Sequence, residues 1–314
     1  MLAGASNGQV GAADCLIVLR RKEAAEAANM SRNTAILLIT CPDQRGLVAA
    51  VAEFLYRHGA NILHADQHVD IAAGLFFMRV EWSLAGFDMS AADFATAFTP
   101  LAEKHGLHWR LEESDRRQRV AIFASRYDHC LADLLYRHRA GELYCDIPLV
   151  ISNHEDTRPL VEFYDVPFHL IEVTPEGKTE AEATQLALLE KSAIDLIVLA
   201  RYMQILGPRF VARYPARIIN IHHSFLPAFL GARPYHRAFE RGVKIIGATS
   251  HYVTDTLDEG PIIEQDVIRV SHRDQVENLV QKGRDVEKMV LSRAVRWHLE
   301  HRILAYGNKT VVFD

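Results

Sequence analysis

Apolar and polar positions change rhythm along the chain, and the two rhythms define two units. In the first, over about residues 34–112, "TAILLIT" (34–40) is a short apolar run closed by Pro42, Asp43 and Gly46, which predicts a buried strand and a turn. "LVAAVAEFLYRHG" carries apolar residues at helical spacing and stops at Gly59. "NILHADQHVD" and "LFFMRVEWSL" are strand-like runs separated by "IAAG". "SAADFATAFTPLAEKHG" predicts a helix with Ser90 as N-cap and Gly106 as C-cap, and "LHWRLEE" a last strand. The order is βαββαβ, that of a ferredoxin-like sandwich.

"ESDRRQR" (113–119) is charged and without apolar anchors, so it predicts a linker. Beyond it, "VAIFAS", "DIPLVISN", "PFHLIEV", "DLIVLA" and "RIINIH" read as strands with helical stretches between them. That alternation predicts an α/β unit, a Rossmann-like, doubly wound and mostly parallel sheet with ligands at the carboxyl ends of its strands. "VKIIGATSHYV" and "PIIEQDVIRV" look like paired strands, and the stretch from "RDQVEN" to "LEHRI" like a long closing helix. Residues 1–32 are expected to be a flexible leader in which Met30 is an alternative start. The expected domains are therefore 33–112 and 120–314, joined by 113–119.

Composition narrows the function. A chain of 314 residues with 49% hydrophobic and 24% charged positions has room for two globular domains. Its net charge of −5 gives no wholesale attraction to nucleic acid or to an anionic membrane surface. No apolar run approaches the roughly 18 residues that a membrane span requires. Cys15, Cys41, Cys130 and Cys145 are scattered without a CxxC pair, so reduced thiols in a cytoplasmic protein are expected.

The chemistry gathers in "NIHHSFLP" (220–227). Asn220 and His222 are two apart at a strand end and leave the same face. Alone, they serve equally well to satisfy backbone groups in the connection. "GATSHYVTDTLDEGPII" (247–263) adds Asp258 in a turn closed by Gly260 and Pro261. An ordinary hairpin turn has that composition too. An amide, an imidazole and a carboxylate together supply an oxyanion donor, an acid and a base for attack on a carbonyl.

These two motifs, Asn-x-His at a strand end and His-x-Val-x-x-x-x-Asp-x-Gly in a later loop, resemble those of the formyltransferase family, which uses formyl-tetrahydrofolate. The resemblance covers residues 119–314. The βαββαβ unit with "CPDQRGLVAAVAEFLYRHGANI" resembles an ACT domain, a regulatory module. A front ACT unit with "HHSFLPAFLGARPYHRAFERGVKIIGAT" between the motifs is similar to the hydrolytic branch of the family. The resemblance implies hydrolysis of 10-formyltetrahydrofolate to formate and tetrahydrofolate, a folate substrate and no cofactor. It also implies a part in balancing the one-carbon pool and in supplying formate for purine synthesis. It assigns Asn220 as the donor to the formyl oxygen, His222 as a support of that oxyanion and proton source, and Asp258 as the group that orients the ring and assists proton transfer. Which of His222 and Asp258 is the general base stays open. Gln204, Ile205 and Leu206 in "RYMQILGPRF" match the position of the pterin loop, and Arg233 in "GARPYH" is a candidate contact for an anionic substrate.

His223 departs from the transferase branch, where Pro usually follows the His. With Ser224 it is a candidate for ordering the hydrolytic water, although a capping Ser serves equally. His251 is a candidate supporting residue, with a half-exposed strand histidine the simpler account. Transfer to glycinamide ribonucleotide is the alternative. The turn after the first strand of this unit, residues 124–130, has no glycine with which to approach a phosphate, and it carries Asp128. No HxxxH or HExxH spacing organises a metal, so none is expected. A further alternative is an amino-acid sensor with an inactive catalytic unit. Asp43, Gln44 and Gly46 stand where ACT domains commonly bind small effectors, with Asn61 on the opposing element, and a helix-capping turn is an equal reading. Because ACT modules usually pair, a homo-oligomer is expected, with an amino-acid effector as its other partner.

Overall fold

The structure is a computed structural model that describes residues 33–227 and 234–313. The leader, Cys15 and Arg233 fall outside those residues. The chain divides between Arg116 and Arg117 into two compact units.

The first unit runs β1 (Thr34–Pro42), α1 (Leu47–Arg57), β2 (Asn61–Asp70), β3 (Leu75–Ser83), α2 (Ala91–His105) and β4 (His108–Glu113). Its four strands form an antiparallel sheet in the order β2-β3-β1-β4. Strands β1 and β3 lie at the centre and are mostly buried, while the edge strand β2 is exposed over most of its length. Leu47, Val51 and Leu55 of α1 and Phe94, Phe98 and Ala102 of α2, spaced four apart, bury one stripe of each helix against the sheet. Ser90 Oγ accepts from the Asp93 amide, and Gly106 takes the left-handed conformation that ends α2. Trp82 stacks on Phe94 at 5.6 Å between ring centroids, and Phe94 on Phe98 at 5.1 Å. These aromatic pairs fill the core of the unit.

The second unit begins at β5 (Gln118–Ala124), so the ladder partners of the two sheets take up both ends of the stretch expected as a linker. It continues with α3 (His129–Arg139), β6 (Cys145–Ser152), α4 (Arg158–Phe163), β7 (Phe168–Leu170), α5 (Lys178–Lys191), β8 (Leu196–Ala200), α6 (Pro208–Val211) and β9 (Ile218–His222). After these come α7 (Pro234–Arg241), β10 (Ile245–Tyr252), β11 (Ile262–Arg269), α8 (Val276–Leu299) and a hairpin of β12 (Ile303–Tyr306) and β13 (Lys309–Val312). The seven-stranded sheet has the order β11-β10-β9-β8-β5-β6-β7, parallel from β9 to β7 and antiparallel at β9-β10-β11.

Successive residues of β5 and β8 face opposite sides, and both sides are covered. Val120, Ile122, Ala124 and Val198 pack on α3 and α8 through Leu131, Leu134, Val290 and Ala294. Ala121, Phe123, Ile197 and Leu199 pack with Leu189 of α5, Tyr202 and Phe210. Burial on both faces is why these strands read as unbroken apolar runs. The order reverses between β5 and β8, which opens a crevice at the carboxyl ends of the strands.

Two expectations need correction. "PFHLIEV" forms only a three-residue edge strand, because its ladder with β6 ends at Ser152 opposite Leu170, where β6 itself ends. The closing helix stops at Leu299, and a hairpin turning at Gly307 follows. No helix among the described residues is long and apolar enough to cross a membrane.

Candidate active site

Asn220 and His222 leave β9 on the face that Ile218 shares with the α5 side of the sheet. Directly across the antiparallel pair from Asn220 stands His251. It is 2% exposed, not half-exposed. Its Nδ1 lies 2.9 Å from the carbonyl of Tyr252, and its Nε2 lies 3.2 Å from Nδ2 of Asn220. A carbonyl only accepts, so Nδ1 carries the hydrogen, and Nε2 of the neutral ring accepts from the Asn220 amino group. Burial keeps this ring neutral by pushing its pKa down, against the opposing pull of the Tyr252 carbonyl and Asp258. Asn220 thus has one amino hydrogen committed and one to offer.

Because β10 runs antiparallel to β9, the loop after Tyr252 starts beside Ile218, whose carbonyl accepts from the Val253 amide. It folds back along β9 and brings Asp258 Oδ1 within 3.2 Å of His222 Nδ1 and 3.7 Å of His251 Nε2. Asp258 adopts φ 56° at the tip. The bond from His222 holds its carboxyl below the ordinary carboxylate range, outweighing burial.

The other ring nitrogen of His222, Nε2, lies 2.9 Å from Ser224 Oγ. The Ser224 segment is itself clamped. Thr249 Oγ1 donates to the Ser224 carbonyl at 2.9 Å and accepts from the Leu226 amide, and Gln265 Nε2 donates to both Thr249 Oγ1 and the Leu226 carbonyl. The row Ser224–His222–Asp258 has the order of a nucleophilic triad. Ser224, however, does not line the cavity onto which Asn220 opens; it lines a separate one of about 200 Å³ with His223, Phe225 and Tyr235. Its bond braces His222.

The larger cavity, about 300 Å³, brings together Asn220, His222, His223, His251, Asp258 and the loop from Arg201 to Leu206. Gln204, Ile205 and Leu206 therefore lie in one wall, where Ile205 and Met203 present exposed apolar side chains. Mostly apolar walls with a few convergent polar groups suit a flat heterocycle.

His223 lines both cavities, and its pKa is pushed down to about 4, by burial first and then by Arg201 and His222. The sign follows from the unfolded chain, whose histidine binds its proton near pH 6.5 while the folded one does so only near 4. Stability is then lost as pH falls between those values, by on the order of 3 kcal/mol, and Asp258 contributes a further loss only below its unfolded value near 4. Denaturant midpoints at pH 7.5, 5.5 and 4.5 should show the gap between wild type and His223→Gln shrinking with acidity. A gap independent of pH contradicts it.

Sequence reasoning passed over a second buried cluster. Glu287, on α8 and 1% exposed, lies 2.7 Å from His129 Nε2 and 3.5 Å from Arg201 Nε, and accepts from the Tyr235 hydroxyl at 2.5 Å. Burial works against its ionisation, yet His129, Arg201 and Tyr235 together hold its carboxyl below the ordinary range. The signal in the sequence is an acidic residue within the buried stripe Leu279, Gly283, Val286, Val290. His129, Cys130 and Glu287 place three possible metal-ligand atoms within 4.8 Å of one another. Glu287 is already engaged by two hydrogen-bond donors, His129 and Tyr235, and by the charge of Arg201, and burial drives the Cys130 thiol well above its usual range, so the cluster is better suited to hydrogen bonding than to a cation.

In the first unit, Asp43, Gln44 and Gly46 line a cavity of about 550 Å³ with Gln67, Val69 and Phe76. Asn61 does not belong to it. Asn61 opens β2, six residues before Gln67, which is about 20 Å along a strand. Gln44 Nε2 donates to the His105 carbonyl at 2.8 Å, so part of its role is to hold the end of α2.

An Asn-x-His strand end facing a loop Asp at the carboxyl edge of a doubly wound sheet is the site of a formyl transferase fold. Residues 118–295 match the formyl transferase family, and residues 35–81 the ACT domain. A formyltetrahydrofolate deformylase of Synechocystis sp. is 56% identical over 284 residues, covering 90% of this chain and all of the relative. One of Bacillus subtilis is 53% identical, covering 88% of this chain and 93% of the relative. The crystal structure of a formyltetrahydrofolate deformylase from Pseudomonas syringae pv. tomato superimposes with a TM-score of 0.89 at 50% identity, covering 95% of this chain and all of that one. The chain belongs to the formyltetrahydrofolate deformylase family.

Proposed function

We infer that this enzyme hydrolyses 10-formyltetrahydrofolate to formate and tetrahydrofolate. The observation that carries this reading is the meeting of Asn220, His222 and Asp258 on one cavity, in a chain more than half identical to deformylases over nine-tenths of its length. The folate lies along Gln204, Ile205 and Leu206 with its formyl group toward Asn220. The free amino hydrogen of Asn220 donates to the formyl oxygen as it gains charge. Asp258, with one oxygen engaged by His222, uses the other to hold the attacking water and draw off its proton. His222, bonded to Asp258 through Nδ1 and braced by Ser224 through Nε2, supports the carboxyl group as the proton passes on to the leaving nitrogen. The C–O bond forms as the C–N bond breaks, one water proton goes to nitrogen, and the other is released to solvent, leaving formate as the anion. No metal or other cofactor takes part.

Water rather than a second substrate is supported by the turn after β5. Ser125 Oγ bonds Asn153 at 2.5 Å, and His129, the first residue of α3, is taken by Glu287. The chain's own carboxylate thus stands where a helix start would otherwise attract a phosphate. The ACT unit binds an amino-acid effector in the cavity of Asp43, Gln44 and Gly46, and the protein works in the cytoplasm as a homo-oligomer.

The test is formate release from 10-formyltetrahydrofolate with a chelator present and no acceptor added. Stoichiometric formate and tetrahydrofolate are expected. Turnover only after glycinamide ribonucleotide is supplied would make the chain a transferase.

A further inference from the structure

Arg201 has no part in the chemistry so far. It follows β8 directly, is 8% exposed and lines the catalytic cavity. Leu199 pairs with Asn220, so Arg201 and His222 each stand two residues beyond that pair at the same edge of the sheet. Its backbone is left-handed at φ 65°, a conformation that an arginine adopts only at a cost. Its Nε and Nη1 are buried without a hydrogen-bond acceptor. The 3.5 Å separation between Nε and Glu287 Oε2 balances charge without completing a bond. Buried donors left in this state call for an acceptor that arrives from elsewhere.

The guanidinium is built into place. Tyr127 lies against it, with Cζ 5.3 Å from the ring centroid. Glu287 is fixed by His129 and Tyr235, and Tyr235 reaches it only because Gly283, one helical turn earlier, has no side chain; a Cβ there would fall on the Tyr235 ring and hydroxyl. Glu287 is thus a positioning residue for Arg201.

Nε faces Glu287, whereas Nη1 is unsatisfied on the terminal edge that it shares with Nη2, and that edge is matched in geometry by a carboxylate. Two carboxylates come with this reaction: the formate that it releases and the acidic tail of the folate. The tail lies at the end of the substrate remote from the formyl carbon, whereas Arg201 stands beside His222. We propose that Arg201 is a carboxylate-binding subsite for product formate, receiving it as the C–N bond breaks and holding it apart from the nitrogen it has left. This rests on the hydrolytic reading.

Binding can be measured without turnover, by the line width of ¹³C-formate titrated with the full-length protein at constant ionic strength set with chloride, in parallel with tetrahydrofolate affinity. Saturable binding in the millimolar range is expected for wild type, weakened at least about tenfold in Arg201→Gln and partly kept in Arg201→Lys, with tetrahydrofolate affinity changed less than about threefold. If Arg201→Gln does not fold, the Lys variant decides, since it keeps the charge and loses the fork. Formate binding equal to wild type in the folded variant overturns the proposal, as does no saturable binding to wild type up to about 0.1 M. Loss of tetrahydrofolate affinity with formate binding intact would give Arg201 to the folate tail. Formate binding without formate release would leave the subsite standing and sink the hydrolytic reading instead.

Discussion

Asp258→Asn should lower kcat for formate release on the order of a thousandfold while leaving KM for 10-formyltetrahydrofolate within a few-fold. The amide has the shape of the carboxyl and can still bond His222 Nδ1, 3.2 Å away, so the loop keeps its course. What it cannot do is take a proton. His222 holds this carboxyl ionised well into acid, so at neutral pH the base is always ready and the variant removes all of it. Formate release beside a thermal melt checks both halves. If more than a tenth of the rate survives in a folded variant, His222 is the base and Asp258 only orients it.

Gly260→Ala should cost about a hundredfold in kcat, although residue 260 touches no substrate. Its φ is not left-handed; the requirement is space. A methyl group there would lie inside the van der Waals surface of the Tyr252 carbonyl and 3.3 Å from Thr254 Cγ2. Backbone cannot rotate away as a side chain can. The loop carrying Asp258, anchored where the Tyr252 amide donates to the Pro261 carbonyl at 2.9 Å, has to move instead. The same Tyr252 carbonyl fixes His251, so two supports of the site shift together. Kinetics of Gly260→Ala beside Glu259→Ala, its exposed neighbour in the same turn, separate the steric effect from a general loosening. A rate within threefold of wild type contradicts the argument.

Much of this was legible because period-two spacing fixes a face. Asn220 and His222 had to point together once the run before them was a strand, and Ser90 and Gly106 marked both ends of a helix by their chemistry alone. The parts that were not legible depend on what other elements bring. His251 reads like any strand histidine until its cross-strand partner proves to be Asn220. Glu287 lies at helical spacing from Gly283 and Val290, but its chain neighbours Arg284, Asp285 and Lys288 mask that stripe, and the partners that make its burial tolerable come from other elements. Arg201 reads as the first residue of a loop, because a left-handed backbone at a non-glycine leaves no mark in sequence. The final hairpin did carry its signal, Gly307-Asn308 between two short runs, but each run is only four residues long.

The amide of Asn220 has two ends of the same size and shape, so no amount of close packing can tell one from the other. Reversed, it would turn an oxygen toward the cavity and repel the negative charge that the proposed reaction develops there. What removes this ambiguity is a one-way sequence of donors. The Tyr252 carbonyl can only receive, which decides the tautomer of His251, which decides the end of Asn220 that faces it. The polarity of the Asn220 amide is therefore written in the main chain, out of reach of any side-chain substitution at Tyr252, and is passed toward the cavity by a ring that burial holds neutral.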